Sequence, residues 1–315
     1  MARHLRWHSS FSLLRSQRPC GWEPTCRSSP FVATADNASR AVVCMKAPLF
    51  LNAAVRSVRW QDLRELTFVQ TVRALLLSAP WLAVSLALAW NDQYGAAIPF
   101  SIVFFMAGLR QTHDGFHAKL GLSARWTHAF LFVFSLLMVI PLHAVRWIHL
   151  RHHAHPLAEN DVEGMCAGMS WWQALLAGPY FSLRMIFEGL AFGSRGTRIW
   201  IALELTAILG MVGLATWFGW GWLRYQVAVM VLGNSLTGFV AVWMVHRGCD
   251  PNHLFARTQR SWLINALTLN NFFHLEHHLF PAVASCNLPE LARRLDEVLP
   301  TAAPVIGLAR TNTGK

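Results

Sequence analysis

Three histidines near the C-terminal end of the chain have the spacing of a metal-binding cluster. His274, His277 and His278 follow the pattern H-x-x-H-H. On a helix, residues three and four positions apart lie on the same face, so we expect the three imidazoles to point at one site. Neutral imidazole is a common ligand of iron, zinc, copper and nickel. The stretch therefore predicts a metal-binding site and leaves the identity of the metal open.

Two further histidine clusters precede this one. The pattern H-x-x-H-H recurs at His149, His152 and His153, and an H-x-x-x-H pair is formed by His113 and His117. Because three such clusters in one chain are hard to attribute to chance, we expect them to form a shared site.

A ninth candidate ligand, His246, is identified by its position alone, because it directly follows a long apolar segment that ends at Val245. A zinc ion takes about four ligands, so nine imidazoles predict two metal ions. Clustered imidazoles without partners beside an apolar membrane surface would each cost on the order of a few kcal/mol. The isolated histidines are expected to be ordinary hydrogen-bonded residues; they are His128, His143, His155 and His253.

The composition indicates a membrane protein. Of the 315 residues, 54% are hydrophobic, and the mean hydropathy is positive. The formal net charge of +11 comes from 24 arginines and three lysines, which are spread along the chain without a dense basic run. Basic cytoplasmic loops explain this excess, and the dispersed charge predicts no nucleic-acid interface. No C-x-x-C pair occurs, so the six cysteines are expected to be reduced structural thiols.

The apolar segments predict four membrane spans arranged as two hairpins. The first hairpin joins 74–90 to 96–109 through a short polar turn, and the second joins 200–217 to 225–245 through a turn rich in glycine and tryptophan. Apart from the shorter 96–109, each segment approaches the ~20 residues that a helix needs to cross a bilayer. The second helix of each hairpin leads to a candidate ligand, which predicts that these ligands lie on one side of the membrane.

Two further apolar segments, 127–142 and 171–192, are expected to lie in the membrane interface. A single crossing by the first would put the first two histidine clusters on opposite sides. Positive charge concentrates in cytoplasmic loops, and these basic residues flank or lie within the two segments: Arg110, Lys119, Arg125, Arg146, Arg151, Arg184, Arg195 and Arg198. We therefore expect an all-helical integral membrane protein with four spans, interfacial helices and a cytosolic helical cap that carries the metal site.

The two ends of the chain are expected to contribute little to the site. Residues 1–44 are rich in arginine, serine and proline and contain no apolar run long enough for a secretory signal. They predict a disordered segment, or an extension that precedes a true start at Met45. The membrane domain that carries the histidine clusters would comprise 45–281. In the C-terminal part, 282–315, Asn287 predicts the start of a cytosolic helix.

The histidine clusters, in this order and flanked by two hydrophobic hairpins, resemble the histidine boxes of the integral-membrane fatty acid desaturase and hydroxylase superfamily. The boxes read His113-Asp114-Gly115-Phe116-His117, His149-Leu150-Arg151-His152-His153 and His274-Leu275-Glu276-His277-His278-Leu279-Phe280-Pro281. The resemblance extends from Ala74 to Pro281. It implies a mushroom-shaped helical fold, two Fe2+ ions held by the boxes, O2 as co-substrate, and an electron donor of the ferredoxin or cytochrome b5 type supplied by another protein.

By the same resemblance, His246 is similar to the extra ligand that some acyl-CoA desaturases carry after their last span. Val242 stands where those enzymes have a polar residue, and His274 stands where front-end desaturases have glutamine. Residues beside the boxes are expected to orient the imidazoles through hydrogen bonds. The candidates by sequence spacing are Asp114, Asn270, Asn271 and Glu276, with Asp161 and Glu163 in the loop after the second box.

The expected reaction is the oxygen-dependent introduction of a C=C bond into a lipid acyl chain. Other oxidations by the same kind of centre stay open: hydroxylation or ketolation of a lipid or carotenoid, and alkene-forming decarboxylation of a fatty acid. A membrane metal transporter or sensor is a remote alternative, because transporters place their ligands near the bilayer midplane. The protein is expected in a bacterial inner membrane with its boxes on the cytoplasmic face.

Overall fold

The computed structural model describes residues 52–250 and 254–298. Within these ranges the regular elements are helices, in agreement with the expected fold class. The predicted extension 1–44, the isolated His253 and the end of the tail, 299–315, lie outside the described residues.

The first described elements lead into a long apolar helix. A short helix α1 (Ala53–Arg56) and a 3-10 turn (Gln61–Leu63) precede α2 (Phe68–Leu76) and α3 (Ala79–Trp90). Thr67 starts α2 with a capping box, in which its side chain and that of Gln70 bond each other's backbone N–H groups. The combined helix Phe68–Trp90 is long and apolar enough to cross a membrane and contains the predicted span 74–90.

The return helix α4 (Tyr94–Phe116) packs along α3. The hydroxyl groups of Ser85 and Ser101 lie 2.7 Å apart at the buried contact. α4 contains the predicted span 96–109 but continues through polar residues as far as Phe116. Because of these polar residues, α4 is not one of the helices that are apolar enough to be a candidate span. The same continuation confirms that a helical extension carries His113 beyond the apolar run.

The segment 127–142 is broken by a sharp bend. α5 (Ala124–Met138) and α6 (Leu142–Ala154) meet at an angle of 111°. Val139 at the break has φ +55°, a left-handed conformation that is strained for a β-branched residue. The pair is a broken span or a re-entrant loop by length and composition, and its interfacial location stays a prediction. The bend directs α6, with the second histidine box, back towards the first.

Buried polar side chains replace the helix hydrogen bonds that the bend removes. At the start of α6, the backbone N–H of Leu142 donates to the Ser135 hydroxyl (3.0 Å), and that of His143 donates to the Glu204 carboxylate (3.1 Å). At the end of α5, the amide of Asn234 donates to the carbonyl of Met138 at 2.7 Å. These contacts explain why polar residues lie within otherwise apolar helices.

Four elements follow the second box. After a 3-10 turn (Glu163–Cys166) come α7 (Trp171–Leu176), α8 (Gly178–Phe192) and α9 (Arg195–Trp217). α8 packs closely against the later helix Gly221–Thr237: a side chain at Gly178 would overlap the carbonyl oxygen of Ser235. α7 and α8 cover the segment 171–192, which was expected in the interface; that location stays a prediction.

The last long helix changes its winding before His246. α10 (Gly221–Thr237) continues into a π-helical turn (Gly238–Trp243) and the short α11 (Met244–His246). Within the described residues, three helices are long and apolar enough to span a membrane, Phe68–Trp90, Arg195–Trp217 and Gly221–His246, or four if the bent pair is one span. This range includes the predicted number, while the two hairpins and the cytosolic cap stay predictions.

Three short helices complete the described chain: α12 (Trp262–Leu267), α13 (His274–Leu279) and α14 (Leu288–Asp296). α14 buries Leu288, Leu291 and Leu295 in a hydrophobic cluster with residues of the first described segment. The predicted helix start at Asn287 is confirmed. Its side chain, however, bonds the Gln70 amide (3.0 Å) and the Leu63 carbonyl (3.0 Å) instead of the first turn of the helix.

Candidate metal centre

The structure brings the nine predicted histidines together in two adjoining groups. The ligand nitrogens within each group lie within 4.8 Å of one another. The first group consists of His113, His117, His149, His153 and His277, and the second of His152, His246, His274 and His278. The imidazoles of His153 and His278, one from each group, stack with their ring centres 4.3 Å apart. The nine side chains therefore form one site with two centres.

Each H-x-x-H-H box is divided between the two groups. In α6 the first and last histidines of the box join the first group, and His152 joins the second. In α13 the assignment is reversed, and His277 is the member that joins the first group. Neighbouring helix positions diverge by about 100°, so adjacent histidines point to different centres. The expectation that His274, His277 and His278 point at one centre was therefore wrong, because the box contributes ligands to both groups.

Carboxylates hold the outer nitrogens of two imidazoles on α6. His149 Nδ1 donates to Glu163 at 2.9 Å, and His152 Nδ1 donates to Asp161 at 2.6 Å. His246 Nδ1 donates to the backbone carbonyl of Phe255 at 2.7 Å. A backbone carbonyl and an ionised carboxylate only accept hydrogen bonds. Each of the three Nδ1 atoms therefore carries the hydrogen in the neutral ring, and each Nε2 presents a lone pair to the centre.

Lone pairs that face one another require a cation between them. His152 Nε2 lies 3.2 Å from His246 Nε2, and His274 Nε2 lies 2.9 Å from the same atom. With the hydrogens of His152 and His246 on Nδ1, the first contact brings two acceptors together. In the first group, the buried His113 Nε2 has no hydrogen-bond partner. Imidazole is a suitable ligand for iron, so the donor set fits a pair of iron ions.

Protonation is disfavoured at the rings on α13. Burial, reinforced by the neighbouring imidazoles, holds the pKa of His274, His277 and His278 well below the ordinary value for histidine. At His152, burial lowers the pKa, but Glu163 and Asp161 outweigh it and hold that pKa above the ordinary value for histidine. Burial alone would raise the pKa of the Glu163 carboxyl, but the nearby His149 and other imidazoles outweigh it and hold that pKa at about 2. The rings on α13 are therefore neutral and the carboxylate is ionised, which are the forms that metal binding uses.

The residues named as orienting candidates have other contacts. Asp114 accepts from the backbone N–H (3.0 Å) and the hydroxyl (2.8 Å) of Ser285, and so ties the first box to the loop after the third. Asn271 donates to the carbonyl of Met106 at 3.1 Å. Asn270 has a left-handed backbone, with φ +67°, in the turn before the third box. The hydrogen bonds of Asp114 and Asn271 are made to Ser285 and to backbone carbonyls, and a role of these residues in orienting the imidazoles stays a prediction.

Glu276, between two histidines of the third box, is fully buried in a charged network. It accepts from the Thr258 hydroxyl and from Arg260, each at 2.6 Å, and Arg260 also binds Asp296 of α14. This network links α13 to α14 through Arg260. Sequence spacing identified Glu276, but only the folded chain reveals that its partners are these residues.

Among the candidates for orienting the imidazoles, Asp161 and Glu163 are the two that bond a ring directly. Both lie in the loop after the second box, where a solvated surface was an equally good expectation. Their side chains are only 2% and 13% exposed. The single available signal was an acidic residue soon after a histidine box, and that signal does not distinguish a buried acceptor from a surface charge.

The three isolated histidines that the structure describes lie outside both groups. His128 Nδ1 and His143 Nε2 are hydrogen-bonded at 2.8 Å, and His143 Nδ1 donates to Glu204 at 2.6 Å. The imidazoles of His128 and His143 stack with the ring of Trp200. The expectation that these two are ordinary hydrogen-bonded residues is confirmed. His155 lies exposed at the end of α6.

A narrow cavity leads to the centre. Its volume is about 100 Å³, and most of its lining is apolar. Part of its wall is formed by histidines of both groups: His113 and His149 of the first, and His274 of the second. Asn234 and Val245 of the last long helix also line it, and they are separated by about 16 Å of helix at 1.5 Å per residue. The cavity therefore connects the metal centre with the interior of the helix bundle.

Comparison with known proteins supports this arrangement. The family model described as "Fatty acid desaturase" matches residues 93–308, more than half of the chain. All nine histidines lie within the matched range. A search of curated proteins finds no similar sequence.

Proposed function

The chain belongs to the fatty acid desaturase family, and from this premise we propose that it is an oxygen-dependent di-iron desaturase that introduces a C=C bond into a lipid acyl chain. The family and the histidine groups support the broader description of a membrane desaturase-like lipid oxidase. Choosing desaturation, iron and an acyl chain goes beyond that description and depends on the shape of the site.

The observation that carries the proposal is the cavity that reaches both histidine groups. Apolar side chains, mainly of methionine, valine, leucine and phenylalanine, form most of its wall, and its polar lining lies near the metal centre and at Asn234 and Thr237. A substrate without polar groups along its length is the ligand that such a wall accepts, because burying an unpaired polar group is costly. An acyl chain in this cavity would pass within reach of the imidazoles.

The small volume of the cavity favours a slender substrate. Its volume of about 100 Å³ is below the roughly 300–1,000 Å³ of ordinary ligand pockets. A slender hydrocarbon chain fits a narrow passage better than the terminal ring of a carotenoid does. This difference favours an acyl chain over a ring-bearing pigment.

In the proposed site, each residue has a physical task. The nine imidazoles would hold the two irons through Nε2, while Glu163, Asp161 and the Phe255 carbonyl fix the orientation of three of those rings. The apolar wall would hold the chain in place and exclude water. Bound iron would supply the oxygen chemistry that removes hydrogen from an unactivated C–H bond.

The stoichiometry of desaturation requires a partner. Removing two hydrogens from the chain and reducing O2 to two waters consumes two further electrons and two protons. The histidines cannot provide these electrons, so the proposal includes an external donor of the ferredoxin or cytochrome b5 type. The proposal also includes a location in a bacterial inner membrane with the metal site on the cytoplasmic face.

The test is expression of the full chain in a host with a simple lipid profile, followed by mass spectrometry of its fatty acids, hydrocarbons and pigments. The proposal predicts a fatty acid that is two mass units lighter and carries one new double bond. A chain with His277→Ala serves as the matched control and should leave the profile unchanged. A hydroxylated acid, an oxidised pigment or a shortened terminal alkene would contradict desaturation and identify the alternative oxidation.

A further inference from the structure

The cap contains an apolar surface that the metal site does not use. From Ser261 to Phe273 the chain has no charged residue, although this part was expected to be a polar cap. Within it, α12 exposes three large apolar side chains: Trp262 is 80%, Leu263 51% and Leu267 72% exposed. The opposite side of the helix is inward, with Asn265 buried. α12 therefore has one face packed on the protein and one apolar face that is uncovered.

Contacts at two points fix the level of α12 relative to the apolar helices. After α12, the carbonyl of Leu269 accepts from Arg110, and Asn271 donates to the carbonyl of Met106, so the segment is tied to α4 where its apolar run ends. Ile264 packs with Val245, one residue before the end of the last span. Both attachment points lie where an apolar helix gives way to the polar residues of the cap.

We propose that α12 is a membrane-inserted anchor, whose outer face of Trp262, Leu263 and Leu267 lies among the phospholipid headgroups and the first carbons of the acyl chains. A bilayer is the partner that the position favours, because the segment after α12 is attached to α4 at Met106 and Arg110, where the apolar run of α4 ends. One turn before Met106, α4 exposes the apolar side chain of Ile102, which is 59% exposed. Tryptophan and leucine on one face of a short helix are typical of interfacial segments.

The anchor has a consequence for the cavity. The residues just after α12, Asn271 and Phe272, form part of the cavity wall, together with Met106 of α4 and Val245. Insertion of α12 would hold this wall at the membrane surface, where a chain dissolved in the bilayer can reach it. The anchor requires only that the protein lies in a membrane, so it is independent of the reaction proposed above.

The test replaces Leu267 by an amino acid that carries a photoreactive diazirine, in the full chain in its native membrane. After illumination, mass spectrometry identifies what the probe has joined. Leu209, on the exposed side of a predicted span, and Arg293, on the exposed side of α14, provide the matched lipid and water references. We expect phospholipid adducts at Leu267 as the main product, as at Leu209, and water addition at Arg293.

Each other result at Leu267 overturns the anchor. Water addition would place the face in solvent, and a cross-link to another protein or to a second copy of the chain would make it a protein interface. A second measurement uses the double variant Leu263→Ser with Leu267→Ser. With a probe at position 262, the polar pair should shift the products from lipid towards water, and an unchanged lipid yield would contradict the proposal. None of these readouts depends on turnover. A protein that forms lipid adducts at Leu267 but has no activity would therefore contradict the proposed desaturase reaction and leave the anchor intact.

Discussion

Three imidazoles on α6 are held in the same way, and two regions of the molecule use them differently. In the metal region, Glu163 and Asp161 accept the Nδ1 hydrogens of His149 and His152. His143 lies about two turns earlier on the same helix, and Glu204 of α9 accepts its Nδ1 hydrogen. What differs is the atom that Nε2 faces. A carboxylate behind a histidine therefore does not identify a metal ligand until the far nitrogen is examined.

At the metal centre the far nitrogens face other lone pairs. His152 Nε2 is directed at His246 Nε2, and the imidazole of His246 carries its hydrogen on Nδ1, on the opposite side of the ring. At the bend, His143 Nε2 instead faces His128 Nδ1, which can donate to it. The bend region satisfies its hydrogen bonds within the protein, whereas the facing nitrogens of the metal region provide a place for a metal ion. The expected roles are stabilisation of the bend in one region and metal binding in the other.

The largest expected effect comes from removing a ligand in the metal region. His277→Ala should abolish activity and lower the iron content of the purified chain, because the first group loses the one ligand that the third box contributes to it. Product analysis and elemental analysis of the same sample measure both effects. His128→Ala is the control outside the site and should retain iron. Normal turnover and iron in His277→Ala would end the assignment of this residue as a ligand.

Glu204→Leu should act on stability. The carboxylate is fully buried and accepts from His143 and Ser135, and leaving a buried donor without its acceptor costs about 1–3 kcal/mol. Unfolding in detergent measures the loss in free energy. Glu204→Gln, which keeps one acceptor oxygen, should lose less. Iron per folded chain should stay near the wild-type value in both variants, and loss of iron at unchanged stability would erase the distinction between the two regions.

Glu163→Gln should act on the metal. Loss of a carboxylate that orients a ligand typically lowers metal affinity about 10- to 100-fold. Competition with a chelator measures the change, and unfolding of the metal-free protein should hardly differ from wild type. Glu159→Gln, an exposed carboxylate of the same loop, is the control. Equal affinities in the two variants would mean that Glu163 does not support His149.

The smallest effect is expected for His128→Gln. The substitution removes or weakens a single hydrogen bond to His143, worth about 0.5–1.5 kcal/mol. The melting temperature should fall slightly, and the iron content should not change. A clear loss of iron would place the His128 and His143 pair in the metal site after all.

Much of the fold followed from local sequence patterns. Apolar runs near the length of a bilayer predicted the helices around 74–90, 200–217 and 225–245, because hydrophobic length is a local property. The bend between α5 and α6 was not visible in the same way. It depends on the left-handed Val139 and on distant partners, Glu204 and Asn234, that satisfy the broken helix ends. No local pattern reports contacts between residues that are separated by tens of positions.

The same limit applies to the metal site. Helical spacing identified the histidines, and counting ligands predicted two metals. Spacing did not predict that each box is shared between two centres, because this depends on how α6 and α13 are rotated relative to each other. It also did not distinguish Glu163, which binds an imidazole, from Glu276, which binds Arg260.

The number of iron ions bound by the purified full chain tests the central claim most directly. Elemental analysis, together with amino-acid quantification, gives metal per chain without reference to any substrate. Two histidine groups predict two iron ions per chain, and His277→Ala should bind fewer. A single metal ion per chain, or a full complement of zinc after expression in iron-rich medium, would contradict the di-iron centre.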